Sequence, residues 1–465
     1  MRRLVLVALA AAALGGSTGA AAATRTWVGT FRLPAAAEAT GIAVELSGGR
    51  AVVSMPVGHA ARTRVTAKLT ANRLRFTLPG RPAPLVFDGA VRGRAVVGSV
   101  RQGALRGTFR LEAGRLPDWG SAGVYGDTAI LDTPWYPRQA IDLRTGEIHA
   151  LYRQGAARYT VGAGFAVRAP TAGKATLTPD ALVWRGARAS RLPLTQEEVR
   201  FRSGDVELAG TLTRPAGPGR HPAVAIVHGG GAVPRAAAGA MAPYFASLGF
   251  VVLACDKRGV GQSGGRYPGD LASEEAIDVL AHDAEAAARF LAAQPEVDPS
   301  RVGLTGASQA GWIMPLAASR EPAVRFLVLL VSPTLAQGAV DLYHQLTGGG
   351  VARPSRPLAE IEAQVQRTAP SGFDPMPAIR ALRIPALWLY GGHDLTVPTR
   401  LCVEALQPLV ADRSRDFTVA VLPGANHGLA ETANGLDSEM LASPSLAHGL
   451  FADIREWLAA RRLSG

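Results

Sequence analysis

Residues 306–311 read Gly306-Ala307-Ser308-Gln309-Ala310-Gly311, and this stretch decides how the C-terminal half of the chain is interpreted. An apolar run precedes it at residues 301–305, and a helix-compatible run follows at residues 312–318. A serine at a sharp strand-to-helix turn has a strained backbone, which requires small residues two positions before and after it. Gly306 and Ala310 hold those positions. The pattern predicts that Ser308 is a nucleophile, although a serine here would also suit a helix N-cap.

Length and composition set wide limits on the architecture. The chain has 465 residues, 48% of them hydrophobic and 6% aromatic, which is enough for two domains with their own cores. Its net charge is +12. The basic residues form no long run and are not interleaved with aromatic residues. We therefore predict a solvated basic surface and no nucleic-acid partner.

The N-terminus has the three regions of a secretory signal peptide. Arg2 and Arg3 form a positive start, residues 4–14 are apolar, and Ala21-Ala22-Ala23 fits a cleavage site. The apolar run is too short to span a bilayer comfortably, and no later run is a transmembrane candidate. We expect a signal peptide over residues 1–23 and a secreted or periplasmic protein.

The two cysteines and the histidines indicate neither a cofactor nor a metal. Cys255 and Cys402 could pair in an exported protein, but the local patterns favour two free, buried thiols. Cys255 ends an apolar run, and Cys402 lies in a helical pattern. The histidines lack the paired spacing of a zinc site, so we expect no metal and no cofactor.

Residues 24–195 are predicted to be β-rich. Short alternating runs, such as 26–31 and 105–111, are separated about every ten residues by Gly, Pro and Asn, which is typical of an antiparallel meander. The runs suggest a small open sheet or barrel. The pattern leaves open whether residues 119–195 continue the sheet of residues 24–118 or form a second piece.

Residues 196–465 alternate between apolar strands and helices. A hairpin is predicted around Ser203-Gly204-Asp205, a helix over 273–293 and a terminal helix over 445–462. The apolar strands are expected at 223–227, 250–254, 301–305, 326–331, 386–390 and 417–422. Nearly continuous apolar strands between helices predict an α/β fold whose parallel sheet is covered on both faces.

Chemically useful residues follow four of these strands, at the carboxyl ends where such sheets carry their sites. These are His228-Gly229-Gly230-Gly231, Ser308, Gly391-Gly392-His393-Asp394 and Asn426-His427-Gly428. A nucleophile, an acid and a histidine therefore occur in that order, each after a different strand.

With these motifs, residues 197–465 resemble an α/β-hydrolase. They are similar to the secreted esterases and to the dienelactone-hydrolase-like and prolyl-oligopeptidase-like branches. The stretch Asp256-Lys257-Arg258-Gly259-Val260-Gly261-Gln262-Ser263 resembles a loop of that superfamily. Dienelactone hydrolases proper use a cysteine nucleophile, whereas this chain has a serine.

The resemblance and the chemistry of serine activation imply a role for each residue. His427 would take the proton of Ser308, and Asp394 would orient and stabilise the imidazole; His393 is a less favoured alternative to Asp394. The backbone N–H groups of Gln309 and Gly230 would bind the oxyanion.

Other residues of this half are expected to support the site. We expect His228 to shape the oxyanion loop and Asp256 and Arg258 to form a structural ion pair. His282 and Asp283 are expected on a solvated helix face. Residues 335–383 form a candidate lid, with an ordinary surface excursion as the alternative.

These observations predict a secreted serine hydrolase that cleaves small-molecule carboxylic esters through an acyl-enzyme. A prolyl-oligopeptidase-like serine peptidase, or an acyltransferase with the same triad, is the first alternative. The peptidase branch usually carries a propeller of repeated blades, and about 170 residues without a visible repeat are few for that. The second alternative is a cell-wall or polysaccharide-binding protein with a secondary hydrolase domain.

Overall fold

The structure is a computed structural model, and it describes residues 25–464 apart from short gaps at 35–39, 48, 55–62, 80–82, 114–121, 132–137, 154–156, 164–170, 270–272, 441–442 and 444. The expected signal peptide lies outside the described residues. Three β units follow one another along the chain: a closed barrel, an antiparallel sheet and a mostly parallel sheet.

The first unit is an antiparallel barrel, and its described strands are β1 (Arg25–Arg32), β2 (Thr40–Ser47), β3 (Arg50–Ser54), β4 (Thr63–Leu69), β5 (Arg73–Leu78), β6 (Leu85–Arg92), β7 (Ala95–Gln102) and β8 (Leu105–Ala113). The barrel closes where β1 pairs with β8, with Phe31 opposite Phe109. Gly29 permits this close approach, since a Cβ there would lie 1.9 Å from the carbonyl oxygen of Arg110. Phe87 fills the centre, stacked on Phe76 at 4.6 Å between ring centroids.

The second unit is a meander that shares a core with the C-terminal unit. Its described strands are β9 (Gly123–Tyr125), β10 (Thr128–Leu131), β11 (Arg138–Asp142), β12 (Ile148–Arg153), β13 (Arg158–Ala163), β14 (Thr171–Leu177), β15 (Ala181–Trp184) and β16 (Ala187–Ser190). Val124, Ile141 and Ile148 from one face are buried in one cluster with Tyr244 and Phe451. Residues 123–190 therefore form a sheet of their own and do not continue the barrel.

The third unit has the strand order β17-β18-β20-β19-β21-β22-β23-β24, in which β17 and β18 are antiparallel and β19 to β24 run parallel. Its described strands are β17 (Leu194–Ser203), β18 (Val206–Pro215), β19 (His221–Val227), β20 (Val251–Cys255), β21 (Val297–Ala307), β22 (Phe326–Leu330), β23 (Ala386–Gly391) and β24 (Phe417–Leu422). The predicted α/β fold and the all-β N-terminal region are both confirmed.

Helices cover both faces of this sheet. Those described are α1 (Met241–Ser247), α2 (Glu274–Ala292), α3 (Ala310–Arg320), α4 (Gln337–Thr347), α5 (Leu358–Arg367), α6 (Met376–Ala381), α7 (Thr399–Ala411), α8 (Asp437–Met440) and α9 (Leu450–Ala460), with a 3-10 turn at Arg235–Ala238. One core contains residues of α2, α3, α6 and α7, and the other contains residues of α1 and α9. Every residue of β22 is buried, because neither face of the strand meets solvent.

The residues at the helix ends determine where the two predicted helices begin and end in the structure. Helix α2 matches its prediction closely, and the Ser273 side chain caps it by accepting from the N–H of Ala276 at 3.2 Å. The terminal helix is shorter than the predicted 445–462, since it begins only after Gly449, whose φ is +90°. No helix in the described part of the chain is long and apolar enough to cross a bilayer.

Candidate active site

Ser308 sits on a strained turn between strand β21 and helix α3. Its φ is +58°, in the left-handed region that non-glycine residues rarely adopt. Gly306 allows this turn to lie against strand β19, because a Cβ there would come within 2.2 Å of the carbonyl oxygen of Val227 and 2.7 Å of the Ala310 Cβ. The glycine that the sequence places two positions before the serine is thus required sterically.

The structure brings Ser308, His427 and Asp394 into one hydrogen-bonded chain. The Nε2 atom of His427 lies 3.1 Å from Ser308 Oγ, and its Nδ1 atom lies 2.8 Å from Asp394 Oδ2. Both distances are within hydrogen-bonding range. This is the arrangement in which an imidazole can take a proton from a serine hydroxyl while a carboxylate fixes its tautomer.

The two carboxylate oxygens of Asp394 have different partners. Oδ1 accepts hydrogen bonds from the backbone N–H groups of Thr396 and Val397, at 2.7 and 2.8 Å. The Asp394 side chain is 0% exposed. Tyr343 of helix α4 donates its hydroxyl to the Asp394 backbone carbonyl at 3.0 Å. The other carboxylate oxygen therefore stays directed at the imidazole of His427.

The electrostatics of His427 reflect two opposing effects. Burial alone would lower the pKa of the imidazole, but the charge and hydrogen bond of Asp394, aided by the charge of Asp437, outweigh it. The pKa of His427 therefore lies above its ordinary value. The side chain is 24% exposed, so a substrate can reach it.

The loop that carries His427 is folded around Asn426. Its buried Oδ1 atom accepts from the backbone N–H groups of Gly428 and Ala430, at 3.0 and 3.1 Å. His393 lies outside the chain of contacts, because its Nδ1 atom bonds to the Thr432 carbonyl oxygen at 2.8 Å. Asp394, and not its neighbour His393, is the residue that meets His427.

The glycine-rich loop after strand β19 lies against the turn that carries Ser308. A Cβ built on Gly229 would lie 3.3 Å from the Ser308 Cβ, and one built on Gly230 would meet nothing within 4 Å. On the other side, Gln309 directly precedes helix α3. The first N–H groups of a helix have no intrahelical partner and carry the positive end of its dipole. The two predicted oxyanion donors, Gly230 and Gln309, thus belong to the two segments that flank Ser308.

A buried lysine joins these two segments. Lys257, only 7% exposed, donates from Nζ to the carbonyl oxygens of Gly229 and Gly231 and to Gln309 Oε1, the last at 2.9 Å. Its ammonium also lies 5.4 Å from the ring centre of Tyr267. In the sequence, Lys257 lies in the stretch that resembles a superfamily loop, and nothing local shows that the lysine is buried.

The predicted ion pair between Asp256 and Arg258 is wrong. Asp256 instead accepts from the Arg235 guanidinium at 2.9 Å, and Arg258 donates to Asp283, with Nε at 3.0 Å. The loop turns directly after Asp256, with the Val260 N–H bonded to the Lys257 carbonyl, so Asp256 and Arg258 each meet a partner on another segment. Asp283 is accordingly not on a solvated face, because its side chain is 13% exposed.

The ionisation of the groups around this loop fits a structural role. Burial lowers the pKa of His228 to about 4, and the charge of Lys257 contributes. His228 is therefore neutral near pH 7, and its Nε2–H donates to the Cys255 carbonyl at 2.7 Å. Burial would raise the pKa of Asp256, but hydrogen bonds from Arg235 and Gln262 outweigh it and bring the pKa below its usual value.

The remaining predicted residues can be placed briefly. Cys255 and Cys402 are both free thiols, as predicted, and Cys402 is buried whereas Cys255 is partly buried. Residues 335–383 contain helices α4, α5 and α6, and α4 touches the site through Tyr343. Within the described ranges, no three His, Cys, Asp or Glu side chains converge in a way that could hold a metal ion. The role of Tyr343 was not predicted, because its contact with Asp394 depends on the tertiary fold.

Parts of the chain are similar to known proteins. The model of the prolyl oligopeptidase family matches residues 237–442. An uncharacterized protein of Mycobacterium tuberculosis is 30% identical over 248 residues, which cover 53% of this chain and 77% of that protein. An uncharacterized protein of Pseudomonas aeruginosa is 38% identical over 109 residues, 23% of this chain and 28% of that protein.

Solved structures show weaker likeness. The Pyrococcus furiosus esterase Pf2001 has a TM-score of 0.41 at 19% identity and covers 58% of this chain and 91% of its own. Acetyl xylan esterase 1 from Thermoanaerobacterium has a TM-score of 0.33 at 20% identity, with coverages of 50% and 80%. Sheet order and the match to the prolyl oligopeptidase family model over residues 237–442 together identify this chain as a member of the α/β-hydrolase superfamily, of the serine hydrolase type.

Proposed function

We propose that this serine hydrolase cleaves carboxylic esters of small molecules through an acyl-enzyme, with Ser308 as nucleophile, His427 as base and Asp394 as orienting acid. The observation that carries the proposal is the pair of contacts at His427, 3.1 Å to Ser308 Oγ and 2.8 Å to Asp394 Oδ2. A serine hydroxyl is a weak nucleophile, and a base at hydrogen-bonding distance is what activates it.

In the proposed reaction, Ser308 Oγ bonds to the ester carbonyl carbon as His427 Nε2 takes its proton. The carbonyl oxygen becomes an oxyanion, and the imidazolium is stabilised by Asp394. Collapse of the tetrahedral intermediate breaks the bond to the alcohol, which takes the proton from His427. Water repeats the sequence on the acyl-enzyme, releasing the acid and restoring the serine.

Two backbone donors are proposed to bind the oxyanion, the N–H of Gln309 and the N–H of Gly230. Preorganised donors of this kind contribute several kcal/mol to the transition state when water is excluded. Lys257 supports them as a positioning residue, because it binds the carbonyls on both sides of Gly230 and the side chain of Gln309. Its buried positive charge also favours negative charge developing nearby.

The N-terminal architecture favours an esterase over an oligopeptidase that admits peptides through a propeller. Within the described residues, the two N-terminal units are a closed barrel and one separate sheet, and neither is a ring of repeated blades. The match to the prolyl oligopeptidase family keeps peptide bond hydrolysis as the second candidate. An acyltransferase would use the same acyl-enzyme with an alcohol or amine in place of water.

Export and domain division complete the proposal. Residues 1–23 fit a cleavable signal peptide, so the proposed site of action is the periplasm or the exterior. The proposed units of the mature protein are residues 24–118, 119–195 and 196–465, and the third carries the chemistry.

The test compares ester and amide substrates on the same preparation. Wild-type protein and the Ser308→Ala variant are assayed with p-nitrophenyl esters of increasing acyl length and with aminoacyl p-nitroanilides. A fluorophosphonate probe, read by intact mass and peptide mapping, reports the activated serine. We expect one adduct on Ser308, ester turnover, and a loss of at least about a thousandfold in the variant. Faster amide turnover than ester turnover would instead establish the peptidase, and labelling elsewhere would overturn the assignment of Ser308.

A further inference from the structure

The excess positive charge of this protein is concentrated in the barrel. Residues 25–113 contain 14 arginines and lysines but only 4 aspartates and glutamates, a net charge of +10 out of +12 for the chain. Residues 114–465 have 33 of each kind and are neutral overall. A general bias of the genome toward arginine does not explain this difference, because the same bias acts on the neutral catalytic half.

The cations are arranged on the outer face of one part of the barrel. On strand β5 the exposed Arg73, Arg75 and Thr77 alternate with the buried Leu74, Phe76 and Leu78, and strands β4 and β7 also place their cations outward. Lys68 on β4 stands directly opposite Arg75, and Arg101 on β7 stands opposite Arg106 on β8.

Such pairs are unusual in a sheet. Like charges directly opposite one another on neighbouring strands have Cβ atoms only about 5 Å apart and destabilise the pairing. Two like-charged pairs on one barrel face lower the stability of the fold, and a bound anion would reduce the repulsion between the paired cations. Stability alone would favour an acidic or neutral residue at one member of each pair.

The same face has a concavity. Strands β4 and β5 pair over Ala67–Leu69 and Leu74–Phe76 and then diverge among the described residues. The opening has a volume of about 730 Å³, and its cationic lining consists of Arg64, Lys68, Arg75 and Arg101, with the hydroxyls of Thr66 and Thr77 between them.

Most of this positive charge is not neutralised by carboxylates of the described residues. Asp88 accepts bidentate hydrogen bonds from Arg73, at 2.6 and 2.9 Å, and also binds Arg75 at 2.6 Å. These salt bridges fix the Arg75 guanidinium at the edge of the opening. Within the described ranges, no carboxylate lies in salt-bridge contact with Arg64, Lys68 or Arg101. Three cations therefore face the concavity with no partner from the part of the chain that the structure describes.

We propose that this face binds an anionic polysaccharide chain, whose carboxylate, sulfate or phosphate groups pair with Arg64, Lys68, Arg75 and Arg101. Arginine forks bind such oxyanions bidentately, and the threonine hydroxyls suit the hydroxyl groups of sugar units. A concavity accommodates a chain, whereas a flat membrane surface would touch only its rim. The aromatic rings of the barrel core, such as Phe76 and Phe87, are buried, so the face offers no stacking platform for the bases of a single-stranded nucleic acid.

This inference is independent of the proposed ester hydrolysis, because none of the residues proposed for the active site lies in the barrel. The test uses the full mature chain and a triple variant, Arg64→Gln with Lys68→Gln and Arg101→Gln, in which the side-chain stems largely remain. The control variant, Arg220→Gln with Arg353→Gln and Arg413→Gln, removes the same charge from exposed positions of the catalytic half. Turnover of a small p-nitrophenyl ester verifies that each variant is folded, and thermal melting provides the same check if no ester is cleaved.

Binding is measured by calorimetry with polygalacturonate as the anionic polymer and with dextran as its neutral counterpart, at low and at physiological ionic strength. We expect wild-type protein to bind polygalacturonate and not dextran. The barrel variant should lose at least about tenfold in affinity and show a weaker salt dependence, since fewer counterions are released. The control variant should bind like wild type.

Three outcomes would overturn the proposal. The first is equal binding by the barrel variant and wild type, and the second is equal weakening by the control variant. The third is tighter binding of another polyanion. A single-stranded DNA oligonucleotide and vesicles of phosphatidylglycerol are assayed in parallel, and the proposal fails if the protein binds one of them at least about tenfold more tightly than polygalacturonate. Either of those would assign the face to a different partner class.

Discussion

The ammonium nitrogen of Lys257 lies 2.9 Å from the side-chain oxygen of Gln309, and the same nitrogen binds the carbonyls of Gly229 and Gly231. One buried cation thus connects the loop after strand β19 to the start of helix α3. These segments supply the two proposed oxyanion donors. A shift of either segment would change the geometry of its proposed donor.

Replacing this cation should slow chemistry more than it weakens binding. In Lys257→Met the stem remains, but three oxygen atoms lose a charged donor, so the loop and Gln309 are no longer held together. We expect kcat for a p-nitrophenyl ester to fall by about a hundredfold, in the range of a lost oxyanion donor, with KM changed only slightly. Steady-state kinetics separate the two parameters.

The matched control is Lys174→Met, which alters an exposed lysine of strand β14 and should leave kcat unchanged. Gln309→Met removes one of the same contacts from the other side and should change kcat in the same direction as Lys257→Met. If kcat of a folded Lys257→Met protein stays within about twofold of wild type, the positioning role is wrong.

The positions of Ser308, Asp394 and His427 could be predicted because local signals determine them. An apolar run followed by glycine-rich turn residues marks a strand end, and the carboxyl ends of parallel strands meet at one edge of the sheet. The turn at Ser308 also depends on Gly306 and Ala310, which are its neighbours in sequence. Local pattern and topology are therefore sufficient to predict that the three residues of the proposed triad lie close together.

The partners of Asp256 and Lys257 could not be predicted in this way. Asp256 binds Arg235, and Lys257 binds Gly229 and Gln309, which lie tens of residues away in the chain. Only the packed fold decides which side chain of such a loop turns inward. Closure of the barrel between β1 and β8 likewise joins distant segments, so the sequence left an open sheet and a barrel equally acceptable.

Asp394→Asn should both slow the enzyme and move its pH dependence. The base must be neutral, so activity falls as the pH drops through the pKa of His427, which Asp394 holds above its ordinary value. We expect an acidic limb in the wild-type profile of kcat/KM at a pKa above about 6.5. In the variant that limb should move to lower pH, and kcat should fall about ten-thousandfold because the tautomer is no longer fixed.

The same shift has a consequence for stability. Because the folded-state pKa of His427 is raised, its interaction with Asp394 stabilises the fold fully below the unfolded-state pKa and is lost as pH rises through the folded-state pKa. Asp394→Asn should therefore lose more stability at pH 5 to 6, about one to two units below neutrality, than at pH 8. Asp205→Asn, at an exposed hairpin turn, is the control. An unchanged acidic limb in a folded Asp394→Asn protein would contradict the assigned contact.

Adding a methyl group at Gly306 should destabilise the protein. The new Cβ would lie 2.2 Å from the Val227 carbonyl oxygen and 2.7 Å from the Ala310 Cβ, so strand β19 or the nucleophile turn must move. We expect Gly306→Ala to lower the free energy of unfolding by about 1–3 kcal/mol, measured by urea denaturation. Gly230→Ala is the control for stability, because a Cβ there meets nothing within 4 Å. Equal unfolding free energies for the two variants would show that the turn has room the structure does not indicate.

The two N-terminal units should respond differently to removal. The barrel core consists of its own residues, including Phe87 and Phe109, whereas Val124, Ile141 and Ile148 of the second sheet share a core with Tyr244. Also, the N–H of Leu446 donates to the Gly146 carbonyl at 2.8 Å, linking that sheet to the segment after His427.

A chain that begins at residue 122 should therefore fold and cleave a small p-nitrophenyl ester at close to the full-length rate. A chain that begins at residue 194 would expose the apolar face on which the second sheet packs, and burial of one large apolar side chain is worth about 1.5–3 kcal/mol. We expect this shorter chain to melt at a clearly lower temperature or to aggregate, and to lose ester turnover. Circular dichroism melting and the ester assay on both truncations decide the question. Equal melting temperatures would mean that the second sheet does not stabilise the catalytic half. Loss of turnover in a folded 122–465 protein would mean that the barrel helps to complete the active site.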